Sequence, residues 1–347
     1  MRTFLLFLLI AALLCGPVRA LELTAPEVPA SGAEWMPRQT QSFPEALLEI
    51  LSDAVAAFLP DLREAAASCT GVFAAVLALA VLAAVPGHRE GMAELAGTLV
   101  VGTTLLQCVH ALIALGAETV TELSDYGKLL LPVMTAAQAA QGGVTSAAAL
   151  YTGTAVFNAV LSAFISKALV PMIYLFLALA VGSAAVNEPL LKKLRDGIKN
   201  GAAWCLKTVL YVYTGYISIT GVVSGTTDAG ILKAAKLTIS GAVPVVGGIL
   251  SDASEAILVS AGTVKNAAGI YGMLAIMAVW IGPFLRIGVH YLILKCLETV
   301  CAVFGIKSAT DLIGDFSAAM GLLLAMTGAV CLMLIIGTIC FMKGVGL

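Results

Sequence analysis

The sequence predicts an all-α, polytopic membrane protein. Of its 347 residues, 60% are hydrophobic and only 12% are charged, about half the roughly 25% of a soluble domain. Apolar stretches long enough to cross a bilayer recur along most of the chain. Alternating ten-residue segments, the mark of a membrane β-barrel, do not occur. The net charge of −2 and the lack of any basic block give nucleic acid no footing.

The first element is MRTFLLFLLIAALLCGPVRA. Arg2 supplies a positive start, Thr3 to Cys15 a short apolar core, and Val18-Arg19-Ala20 a small-x-small site. Residues 1–20 therefore read as a signal peptide cleaved after Ala20, with an uncleaved anchor as the alternative. Leu14 stands where a lipidation motif at Cys15 requires a small residue.

Residues 21–67 form an acidic segment, which the signal peptide places outside the cytoplasm. Eight acids stand against Arg38 and Arg63, and four prolines between 24 and 44 predict an extended, poorly ordered stretch. From Glu45 the spacing turns helical, with Leu47, Leu48, Leu51, Val55 and Phe58 on one side. This is either a solvated spacer or an amphipathic helix for a partner or a membrane surface.

Residues 68–117 hold the first two spans, Ser68–Val85 and Leu95–Ala117. A mildly acidic loop, 118–128, follows outside the cytoplasm. Leu129–Lys167 is apolar but rich in Ala, Gly, Thr and Ser, and hydropathy leaves it as one crossing plus a re-entrant hairpin or as three crossings. Ala168–Val186 is a strong span. The loop 187–200 carries Lys192, Lys193, Arg195 and Lys199, the densest basic cluster in the chain, and so belongs in the cytoplasm. Ala202–Val223, Leu237–Val264, Gly269–Leu294 and Phe316–Phe341 complete the apolar segments, with a charged loop at 295–311.

Two parts of the chain resemble each other. Pro132 precedes Pro171 by the same interval that separates Pro244 from Pro283, and each second proline leads into a span, a charged loop and another span. The units run over 126–226 and 238–345. Within them Pro132 with Gly142 and Gly143, and Pro244 with Gly247 and Gly248, predict Pro/Gly-broken or re-entrant helices. Such irregular backbone is tolerated at membrane depth only against protein or a watery cavity, and paired breaks are a device of transport proteins.

Asp252 and Glu255 follow the second break on one helical face. They form either a polar site or, as in a capping box, the start of a new helix. Lys265 and Asn266 are further polar candidates and fit an interfacial helix end. No catalytic motif is present: there is no HExxH, no GxSxG and no phosphate loop. The eight cysteines form no CxxC pair, and His88, His110 and His290 are widely dispersed. The sequence thus points to no enzyme, no cofactor and no metal.

KLLLPVMTAAQAAQGGVTSAA and VPVVGGILSDA, with KNAAGIYG shortly after, resemble the stage III sporulation protein AE family. The resemblance covers residues 90–345. It implies a multi-pass protein of the mother-cell membrane around the forespore. It also implies partners: the other proteins of the stage III sporulation A operon and the forespore's stage II sporulation protein Q, in a channel complex needed for endospore development. The family has been compared with permeases and brings no active-site residue with it. The expected function is a pore or scaffold subunit of that complex, with self-association left open. The alternative is an autonomous secondary transporter with Asp252 and Glu255 as coupling carboxylates.

Overall fold

A computed structural model describes residues 25–37, 43–83, 90–186, 188–242 and 247–343, with side chains described outside 82–95, 220–265 and 343. Among the described residues there is no strand; the fold is a bundle of long helices. A short helix α1 (Ala30–Ala33) precedes α2 (Phe43–Ser68) and α3 (Thr70–Ala83). The bundle proper is α4 (Glu90–Ala140), α5 (Val144–Phe164), α6 (Val170–Val186), α7 (Pro189–Ala242), α8 (Gly247–Val303) and α9 (Lys307–Lys343). Among the described residues, four stretches are long and apolar enough to cross a membrane: Ala96–Ala140, Val144–Val186, Asn266–Val303 and Lys307–Met342. The pair α2 and α3, bent by 51°, makes a fifth if it acts as one broken span.

The helices outrun the spans that hydropathy suggests. The 51 residues of α4 rise roughly 75 Å at 1.5 Å per residue, against a hydrocarbon core of about 30 Å. The expected loop 118–128 is part of α4. Glu118, Glu122 and Asp125 fall on one stripe of this helix, while Val120, Leu123 and Tyr126 are buried on the other side. An amphipathic helix looks like a loop here because its charges are close in sequence. The basic stretch 187–200 is corrected the same way. Pro189 opens α7, where its fixed φ and missing N–H suit the first helical turn, and Lys192 to Lys199 are helical. At 295–311 only 304–306 is non-helical.

Two turns are built on glycine. Gly142 has φ 88°, a left-handed conformation that costs a side-chain-bearing residue roughly 1–2 kcal/mol. Its N–H bonds to Ala139 O at 2.9 Å, and Gly143 N–H bonds to Gln138 O at 3.2 Å, the paired bonds of a Schellman cap. Gly305, at φ 74°, repeats the pattern: its N–H bonds to Ala302 O, and Ile306 N–H bonds to Cys301 O. The first turn folds α5 back along α4, so Leu129–Lys167 is one helical hairpin continuing towards α6. Between α5 and α6 the residues Ile165–Leu169 widen into a π-helical turn. Pro171 cannot donate to the carbonyl one turn earlier, and the widened turn absorbs that defect.

Prolines otherwise break little. Pro132 lies inside α4 and does not end it, and Pro60 and Pro283 lie inside α2 and α8. The internal repeat is not confirmed: the turn at 141–143 would recur at 253–255, which lies within α8. Pro244 lies outside the described residues.

Of the stretch expected to be extended, residues 25–37 lie against the bundle, with no regular structure at 25–29 and one helical turn at Ala30–Ala33, and residues 38–42 lie outside the described residues. A Cβ at Gly32 would meet Val279, and one at Gly282 would meet Trp35. Ser31 Oγ donates to Glu122 of α4. Along α2, Ala46, Ile50 and Ala54 pack on Leu274 and Ile281 of α8. Leu48, Leu51 and Val55, read from sequence as the apolar side of an amphipathic helix for a partner or membrane surface, are exposed on the other side of α2. Ala46 and Ala54 flank the fully buried Ile50 on the packed face, so small side chains beside it let the isoleucine seat on α8.

Candidate functional site

Most of the interior of the bundle is filled with apolar side chains, among them Leu105, Ile113, Leu123, Phe176, Phe316 and Met326. Among the described residues, buried polar side chains run from Thr98 to Thr338. A highly charged cavity of about 270 Å³ lies where the start of α7 meets α6 and the start of α9. Lys192 and Arg195 of α7, Lys307, Asp311 and Asp315 of α9, and Ser183 of α6 line it. Arg195 donates to Asp315 and to Asp196, and its side chain is 13% exposed against 10% for Asp315.

The helical spacing explains the arrangement. Asp311 and Asp315 are four residues apart, one turn, and share a face of α9. Lys192 and Arg195 are three apart and share a face of α7. The two faces oppose each other because the Gly305 turn starts α9 beside the end of α6. An arginine fork held by a carboxylate at such burial fixes orientation strongly. The cavity is therefore a polar lock between helices, with room for water or a small anion beside its three cationic groups.

A second polar seam stitches the α4–α5 hairpin. Gln138 Nε2 donates to Ser146 Oγ at 3.0 Å, and Ser146 Oγ donates to Gly143 O at 3.2 Å. Asn158 Nδ2 donates to Ser124 O at 3.1 Å, and on the α7 side of α5 the hydroxyls of Thr154 and Tyr213 lie 3.3 Å apart. Small residues beside these contacts let the backbones approach, as in other membrane bundles.

The residues singled out by sequence are not brought together as one site. Gly142 and Gly143 form the α4–α5 turn, and Pro132 lies exposed within α4. Gly247 and Gly248 open α8. Asp252 lies inside α8 and not at its N-cap, so the capping-box reading of Asp252 and Glu255 does not hold. Their side chains, and that of Lys265, lie outside the described residues. Asn266 is exposed. Sequence reasoning missed the pairing of Arg195 with Asp315; the one available signal was a pair of acids one turn apart at the head of an apolar helix. It also missed that His290 meets Cys69 and Cys108, side chains from three distant parts of the chain.

Comparison with known proteins adds an independent line. The family described as stage III sporulation protein AE matches residues 68–346. The stage III sporulation protein AE of Bacillus subtilis (strain 168) is 24% identical over 182 residues, which cover 52% of this chain and 46% of that relative. The match thus spans less than half the relative's length. No solved structure matches.

Proposed function

The chain belongs to the stage III sporulation protein AE family, and from that membership we propose that it is an integral membrane subunit of a channel complex joining mother cell and forespore. Family membership supports a part in spore formation and an association with other sporulation proteins. The proposed setting is the mother-cell membrane around the forespore. The partners are the other stage III sporulation A proteins and the forespore's stage II sporulation protein Q.

Within that complex the chain acts as a scaffold or wall element. The observation that carries this choice is the filled apolar interior between the long helices. A conduit, on this reading, runs between neighbouring chains and not down the middle of one. Residues 1–20 are a signal peptide, and the segment 21–67 lies outside the cytoplasm. The cluster Lys192–Lys199 lies inside, where its cations follow the positive-inside rule. Ser31 and Glu122, which charge places on the same side, are in contact. We assign the chain no catalytic residue.

The transporter reading requires Asp252 and Glu255 to titrate. A scaffold does not need them charged. In a spore-forming host lacking the chain, a wild-type copy should restore sporulation, and the Asp252→Asn, Glu255→Gln double variant should restore it to a similar level. Spore counts are read against the membrane abundance of each variant. Loss of sporulation in the double variant at wild-type abundance favours the transporter. Normal spore counts in the host without any copy would remove the sporulation role itself.

A further inference from the structure

We propose that Cys69, Cys108 and His290 form a zinc-binding site that clamps the N-terminal segment to the bundle. Three separate elements meet there: the bend between α2 and α3 supplies Cys69, α4 supplies Cys108 and α8 supplies His290. One ligand atom from each lies within 4.8 Å of the others. The two sulfur atoms are 3.4 Å apart, well beyond a disulfide bond of about 2.05 Å. Two thiolates that share one zinc ion, each at about 2.3 Å, span a comparable gap.

The histidine is aimed. Its Nδ1 lies 2.7 Å from Arg286 O, and a carbonyl can only accept, so Nδ1 carries the proton. Nε2 is left with its lone pair, which faces Ser68 Oγ at 3.2 Å. A ring fixed through its other nitrogen by a backbone carbonyl is the usual support of a histidine ligand. Packing alone would require no such orientation.

The donor set selects the ion. Two sulfurs and one imidazole suit zinc and exclude calcium and magnesium, which take oxygen ligands. Both thiols lose their protons on binding, and two thiolates neutralise the dication. A neutral unit suits this place, because Cys69 is fully buried beside Ala65, Val289 and Ile293. Ser68 sits at the exposed edge and leaves a fourth position open to its hydroxyl or to water. The bend that presents Cys69 has its own cause: the Thr70 hydroxyl donates back to the carbonyl of Ala66, and Ser68 Oγ shares its one proton between the carbonyl of Ala65 and His290 Nε2, contacts of a kind that bends helices.

The test uses the full chain, purified from membranes in detergent without chelator and then dialysed against zinc. Metal analysis by mass spectrometry should find about one zinc per chain, lost in Cys108→Ser and in His290→Ala and kept in Cys296→Ser. Cobalt added to the metal-free wild-type chain should give thiolate-to-metal charge-transfer absorption, so the test survives even if a variant fails to fold. Three results would overturn the proposal: free thiols with no zinc and no cobalt band, zinc retained in both ligand variants, or a Cys69–Cys108 disulfide found by mass before and after reduction.

Discussion

Arg195→Met destabilises the bundle by about 3–5 kcal/mol, because it leaves the buried Asp315 carboxylate without its partner. Asp315 is buried and its carboxylate is held by the Arg195 guanidinium. Methionine keeps most of the volume but none of the charge. The combined Arg195→Met, Asp315→Leu variant removes both charges and should recover most of the loss, since a buried pair replaced by apolar groups of similar size is often neutral. Thermal unfolding in detergent, read with abundance in the membrane, checks both. If the single and double variants lose equal stability, the pair does not lock α7 to α9.

Gly153→Ala should destabilise the chain although alanine is the better helix former by about 1 kcal/mol. A Cβ at Gly153 would overlap the edge of the Tyr216 ring at Cε1. The ring cannot easily swing away. Its hydroxyl donates to Ala149 O at 3.1 Å and Phe157 packs on it at 5.8 Å between ring centres. Overpacking of this kind costs about 1–3 kcal/mol. Gly182 is the matched control, because a methyl there would have nothing within 4 Å, so Gly182→Ala should hold or raise stability. Tyr216→Ala placed together with Gly153→Ala should relieve the clash. Opposite signs at the two glycines are the expected result, and equal gains at both would contradict the close α5–α7 contact.

The helical, multi-span character of the chain is legible in its composition and apolar runs. Helix ends are legible where backbone geometry demands a residue type, as at the Gly142-Gly143 turn. They are not legible where charge stands in for a loop. Glu118, Glu122 and Asp125 are spaced to share one side of α4, and hydropathy averages that side with its buried opposite. The buried face of α2 escapes for a related reason: Ala46 and Ala54 carry little hydrophobic signal but let Ile50 seat on α8. The charged cavity and the Cys69, Cys108 and His290 cluster depend on tertiary packing. Cys69 and His290 are separated by most of the bundle in sequence, and no local spacing encodes their contact.

The central claim is that this chain works as a membrane subunit of an assembled sporulation complex. The most direct measurement is affinity isolation of a tagged, functional chain from sporulating cells after in vivo cross-linking, with the captured proteins identified by mass spectrometry. The account predicts recovery from the membrane fraction together with other stage III sporulation A proteins and stage II sporulation protein Q. Recovery of the chain alone from cells that sporulate normally, with none of these partners cross-linked, would contradict it.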